Sequence, residues 1–408
     1  MRKATVILAV CAFRMFCGTA ASQTLTMGNG MIDSQNLNVS GVQTFVDLVR
    51  PATASGTIES ASLGWSQFPC SAAVKIKVLR REGDTLALVA ERGPFDVVSV
   101  YAAFPLSPPI EVAQGDLIGL SRVSDCGGPQ ATFLTGNPSE GFAQFVGDIT
   151  SPVPYAGGGG GGGFLQVAAS GPATEMIARV LPAAGSTPGA FESFFRTAIQ
   201  LSNTGTATKT GRLVYHAAGH TSSPEDPSLP FSIEPFSTVA YPDVVATMGQ
   251  EGLGTLDVAV PVTSGSPLVT ARIYEDNGEE GTAGFTEDAI DPVCCTDARV
   301  LFIRSTSYLV APADPAHFRY NVGIRSLFKA PTLTFSVVGS GTSVTRSYPP
   351  SSFEQRSAEE LLGAPLPPNA LIAIQVDAGT AIVYGATVDN VTNDASIQFA
   401  SVAFTSPN

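Results

Sequence analysis

The phrase Phe195-Arg196-Thr197-Ala198-Ile199-Gln200-Leu201 returns as Phe318-Arg319-Tyr320-Asn321-Val322-Gly323-Ile324, an offset of 123 positions. Two later landmarks keep the same order. Leu256–Val260 corresponds to Ile372–Val376 at an offset of 116, and Leu268-Val269 to Ile382-Val383 at 114. Each copy also holds one helix-like stretch, Asp243 to Met248 and Ala358 to Leu362. Each closes on a turn, Glu275-Asp276-Asn277-Gly278 or Asp389-Asn390. A duplicated unit has to fold the same way twice, so this repeat limits the chain more than any composition does. The shrinking offset places shorter loops in the second copy. A unit of this length, made mostly of short strands, has the size of an immunoglobulin-like sandwich.

Upstream of the repeat the pattern is again that of strands. Apolar and polar residues alternate in Ala61-Ser62-Leu63-Gly64-Trp65 and in Val74-Lys75-Ile76-Lys77-Val78, the period expected where one face is wet. Arg81-Glu82-Gly83-Asp84 reads as a turn, and Gln114-Gly115-Asp116 precedes the apolar run Leu117 to Leu120. Many short strands divided by turns indicate a sandwich or jelly roll. The expected architecture is all-β: a jelly-roll-like domain over residues 22–170 and two β-sandwich repeats over 171–297 and 298–408. Ser170-Gly171-Pro172 marks the first boundary. The seven glycines from Gly157 to Gly163 read as a flexible loop inside the first domain, since cutting there would remove its closing strand.

Met1-Arg2-Lys3, the apolar run Ala4 to Phe13 and the small residues Thr19-Ala20-Ala21 follow the order of a secretory signal peptide. The run is too short to span a bilayer, which takes about 20 apolar residues. Residues 1–21 are therefore expected to be removed and the protein exported to the periplasm, the cell surface or the medium. Cys11 and Cys17 would leave with that segment, and Cys70, Cys126, Cys294 and Cys295 would stay. Four cysteines in an exported chain allow three pairings. Cys70 with Cys126 is favoured, because both lie in one domain at strand-to-loop positions. Cys294 and Cys295 are left as neighbours that could bridge only through a strained ring.

The phrase Phe195-Arg196-Thr197-Ala198-Ile199-Gln200-Leu201-Ser202-Asn203 resembles one carried by tandem sandwich domains in predicted exported proteins of bacteria such as the Acidobacteria. Cys70-Ser71-Ala72-Ala73-Val74-Lys75 and Gly115-Asp116-Leu117-Ile118-Gly119 are similar to jelly-roll modules of the same proteins. The resemblance implies the fold and supplies no catalytic residues.

Chemistry is sparse. With 22 Lys and Arg against 35 Asp and Glu, the net charge is −13, which argues against nucleic-acid binding. Of three histidines, His216 and His220 have the spacing of a zinc helix but lack the adjacent Glu, and His317 reads as a loop residue. No Gly-x-Ser-x-Gly elbow occurs. The acidic stretch Glu275, Asp276, Glu279, Glu280, Glu287, Asp288 and Asp291 is mainly a solvated loop, with its first four members as candidate calcium ligands. Trp65 shares a strand face with Ala61 and Leu63 and is expected in the core. Tyr101, Phe104 and Tyr155 lie nearer loops and are the candidate platform for stacking a sugar ring. The reading is a non-catalytic surface or secreted binding and adhesion protein, with glycans or other proteins as partners. Its alternatives are a structural spacer of the envelope and a carboxylate-dependent glycoside hydrolase.

Overall fold

The computed structural model describes residues 24–29, 35–37, 39–82, 85–133, 141–154, 159–161, 163–223, 225–292, 297–302 and 304–401. Residues 1–21, Tyr155, Cys294 and Cys295 lie outside them. The chain is all-β, in antiparallel sheets, with two short α-helices among the described residues. None of its described helices is long and apolar enough to cross a membrane.

The first region places two sheets face to face. One is built on Cys70–Glu82, flanked by Thr85–Val97 and Leu117–Arg122. The other contains Thr24–Gly28, Ser55–Gly64 and Tyr101–Val112. Alternate residues of the two meet in a core that includes Leu25, Ile58, Leu63, Trp65, Val74, Ile76, Ile118 and Leu120. Each such side chain contributes about 1.5–3 kcal/mol when fully buried. Cys70 and Cys126 form a disulfide at the rim of this core. Of the glycine run, Gly159–Gly161 pairs with Phe142–Val146, and Gly163 opens the strand Gly163–Leu165. These described glycines extend sheets where a flexible loop was expected; a residue with no Cβ does not resist an extended backbone.

The two later copies share one topology. In the first, Thr238–Tyr241, Phe194–Ser202, Leu268–Asp276 and Thr282–Asp288 lie side by side. In the second, Phe353–Ser357, Phe318–Ser326, Thr380–Asp389 and Ala395–Phe399 repeat that order. The opposing layers match as well: Ser228–Ile233, Lys209–Ala217 and Gly252–Pro261 correspond to Ser343–Ser347, Thr332–Val337 and Leu371–Ala378. Each copy encloses its own core. Each also carries its helix at the same point, Val244–Thr247 or Ala358–Leu362. The helix starts are fixed by side-chain caps, Asp243 accepting from the Ala246 N–H and Ser357 from that of Glu360.

One strand, Val167–Pro188, runs through the first region and into the first copy. Its residues from Val167 to Glu175 pair with Ser55–Gly64 and in part with Thr24–Gly28, those from Glu175 on with Gly252–Pro261, and its last three with Phe194–Ser202. Ser170-Gly171-Pro172 lies inside it, not between strands. Pro172 falls where the register with Ser55–Gly64 shifts between Ser170 and Ala173, the kind of irregularity at which a strand tolerates proline. Pro182 falls in a second such shift, between Leu181 and Ala184.

The copies also pack on each other. Ala183, Ile273 and Phe285 meet Phe353, Tyr384, Ala386 and Phe399. Beside them, Val180 and Ile290 meet Val300, Leu327 and Ile382. All three regions therefore converge on the middle of Val167–Pro188.

Candidate functional site

At that convergence lies a cleft of about 260 Å³. The first region contributes Arg80, Gln114 and Asp116, the first copy Glu175, Arg212 and His216, and the second copy Phe328, Lys329 and Ala330. Strand register explains the grouping. Arg212 and His216 stand two pleats apart on Lys209–Ala217, hence on one face, and Asp257 is paired to Val214 between them.

Two bidentate ion pairs frame the cleft. Arg80 donates from Nε and Nη2 to Asp116, both at 2.8 Å, while Arg212 donates from Nη2 to Glu175 at 2.6 Å and from Nε to both its oxygens. Hydrogen bonding to the carboxylate raises the pKa of each guanidinium above its ordinary value. Both arginines stay partly exposed, so further donors remain for whatever enters.

The floor of the cleft is a charge network. His216 Nδ1 lies 2.5 Å from Asp226 Oδ2, and Nε2 lies 2.9 Å from Asp257 Oδ2. Asp257 also accepts two bonds from Arg325 Nη2 of the second copy, at 3.0 and 2.9 Å. His216, Asp257 and Arg325 are all buried. Burial opposes the imidazolium, but the two carboxylates outweigh it and hold the His216 pKa above its usual value. Burial likewise opposes the Asp257 carboxylate, and Arg325 and His216 outweigh it and lower its pKa. With both ring nitrogens engaged by carboxylates, His216 has no lone pair left to act as a general base. Its role is to hold the floor together.

The residues singled out in the sequence do not meet here, apart from His216. Tyr101 is 49% exposed at the start of Tyr101–Val112. Phe104 is buried and stacks on Phe95 with centroids 4.7 Å apart, so it is part of the core and offers no face to a sugar. Trp65 is buried as expected and donates its Nε1–H to the Cys126 carbonyl at 3.1 Å. Phe68, passed over in the sequence, is 51% exposed near the same end of the first region as Val98 and Tyr101. Proline at position 69 and the nearby disulfide were the only sequence signs of an exposed turn there.

The proposed calcium ligands do not converge. Glu275 is buried, whereas its strand neighbour Asp276 and the following Glu279 are exposed, and the Glu280 side chain lies outside the described residues. Successive strand residues face opposite ways. Among the described residues no group of three or more acidic, His or Cys side chains is placed to hold a metal ion. His220 is exposed, and His317 pairs with Asp314 at 2.7 Å in the turn before Phe318–Ser326. The recurrent arginines each cover a ring, Arg196 over Phe194 and Arg319 over Phe191. Arg80, Asp116, Glu175 and Arg212 were missed, because only the fold brings them together; no spacing in the sequence relates them.

No family model, curated protein or solved structure matches the chain.

Proposed function

We propose that this is an exported, non-catalytic binding protein, and that a small neutral saccharide occupies the cleft where the three regions meet. The observation that carries this reading is the wall of paired charges: Arg80–Asp116 and Arg212–Glu175 supply fixed donors and acceptors without a large net charge. Hydroxyl groups that donate and accept are the natural complement to such a wall. Met176, Ile177 and Phe328 add apolar surface for the carbon faces of a ring. The volume is just below the roughly 300–1,000 Å³ of drug-sized ligand pockets, which favours one sugar over a long chain. Occupancy of both His216 nitrogens supports binding over hydrolysis. The basic and apolar leader pattern supports export, as does the Cys70–Cys126 disulfide. On this reading the first region is a jelly-roll module and the two copies are immunoglobulin-like.

Thermal shift with a panel of neutral mono- and disaccharides tests it. At least one sugar should raise the melting temperature of the wild-type protein. Ala330→Phe, which fills the cleft, should melt normally and lose that shift. A panel with no effect on the wild type would end the reading, and so would an undiminished shift in the filled variant.

A second site has its own support. Phe68 and Tyr101 are half-exposed on segments joined by the Cys70–Val97 and Gly64–Tyr101 pairings, which puts two exposed rings and Val98 at one end of the first region, suited to an extended glycan or a protein surface. Phe68→Ala/Tyr101→Ala should weaken adhesion to immobilised polysaccharide several-fold if that end is used, and leave it unchanged if only the cleft binds.

A further inference from the structure

We propose that the contact between the two repeated units is a proton-held latch, closed while the Glu287 carboxyl is neutral and released when that group ionises. This inference is independent of what the cleft binds.

Glu287 sits on Thr282–Asp288 of the first copy and is fully buried. That strand runs beside Ala395–Phe399 of the second copy. Two members of the apolar contact between the copies reach it: Ala183 donates its N–H to it, and Tyr384 of the second copy lies close enough to feel its charge, in a cluster that also holds Ile273 and Phe285 from one side and Phe353 and Phe399 from the other. Oε1 accepts the Ala183 N–H at 3.0 Å, and Oε2 has no hydrogen-bond partner. A carboxylate in such a place lacks the partners that make a buried charge tolerable, whereas a neutral carboxylic acid fits.

The groups that face it do not rescue the charge. From the segment leading to Val300–Phe302 comes Arg299, which is already bound to Asp297 at 2.9 and 2.7 Å and lies 3.8 Å from Asp288. Asp288, on the same strand, adds repulsion. Thr380–Asp389 contributes Tyr384, which donates its hydroxyl to Gln355 at 2.7 Å and is itself kept neutral by burial and by the proximity of Glu287. Val167–Pro188 contributes the Ala183 N–H, while its Arg179 is turned to Asp291 at 3.7 Å. Burial therefore prevails and raises the Glu287 pKa to about 8, with the Ala183 bond and Arg299 opposing it only in part.

Opening the contact wets Glu287 and returns its pKa toward 4.5. The closed form holds a proton that the open form sheds, so the opening constant should rise by up to about tenfold per pH unit between roughly pH 5 and 8 and level off above that. The floor network does not share this response: when the Arg325–Asp257 bond between the two copies breaks, His216 keeps Asp226 and Asp257 of its own copy and loses only the opposing charge of Arg325, so it retains its proton.

Hydrogen exchange of the full chain, followed by mass spectrometry from pH 5 to 8.5 and corrected for the intrinsic exchange rate, tests the latch. Amides of Thr282–Asp288 and Ala395–Phe399 should lose protection by up to about tenfold per pH unit, while those of Cys70–Glu82 in the first region hold. In Glu287→Gln, which mimics the neutral acid, most of that dependence should vanish. Wild-type protection that stays flat across the range would overturn the proposal, as would loss shared equally with Cys70–Glu82. An unchanged slope in Glu287→Gln would do the same. The first two outcomes need no variant, so a poorly folding mutant does not shield the idea.

Discussion

Asp257 binds two buried cations at once, Arg325 from the second copy and His216 from its own. Removing its charge strands both of them. Asp257→Asn should therefore cost about 3–5 kcal/mol, read as a lower denaturation midpoint in urea. The pH dependence of that loss has a definite sign. The raised His216 pKa means its contribution is complete below about pH 6.5 and fades as pH rises through the folded-state value. The lowered Asp257 pKa means its contribution is complete above about pH 3.8 and fades as pH falls through the folded-state value. The difference in melting temperature between wild type and Asp257→Asn should be largest between those limits and shrink on either side. Sequence reading found His216 but not its partners. Its spacing to His220 is that of a zinc helix, but the missing Glu spoke against one, and Asp226, Asp257 and Arg325 are joined to His216 only by strand register and by packing of one copy on the other.

At the scale of single elements, the second copy contains two glycines that make room for rings. A Cβ on Gly323 would lie 2.1 Å from Cζ of Tyr384, its cross-strand partner, and one on Gly385 would lie 2.0 Å from the Tyr320 hydroxyl. Gly323→Ala should destabilise the copy by about 1–3 kcal/mol through overpacking, seen as a lower melting temperature of the full chain. The Cys70–Cys126 disulfide closes a span of 56 residues. Reducing it should cost about 2–5 kcal/mol, with protection from exchange lost first around Cys70–Glu82. Elements with a local signature were readable from sequence: the alternating Val74–Val78 within Cys70–Glu82, Ala61–Gly64 within Ser55–Gly64, and the helix-like stretch from Asp243. Those set by a partner were not. Ser170-Gly171-Pro172 has the composition of a break, yet a register shift absorbs the proline. Phe104 lies near a predicted loop, yet its strand pairs with Ser55–Gly64 and turns the ring inward onto Phe95.

Across the whole molecule, the two occurrences of the duplicated phrase fall on corresponding strands, Phe194–Ser202 and Phe318–Ser326, of two copies with one strand order, since each must satisfy the same backbone ladder with the same pattern of inward residues. Their mutual packing was not legible. It depends on which sheet faces are left apolar after each core is filled, as with Phe285 and Phe399. The strand Val167–Pro188 makes the arrangement more than beads on a string, because its hydrogen bonds belong to the first region at one end and to the first copy at the other. The cleft exists only because of that junction. A crystal structure of the full chain soaked with the sugar that gives the largest thermal shift is the most direct test. The expected result is a single ring between Arg80, Arg212 and Phe328, with His216 still held by both carboxylates; an empty cleft with sugar stacked on Tyr101 or Phe68 would contradict it.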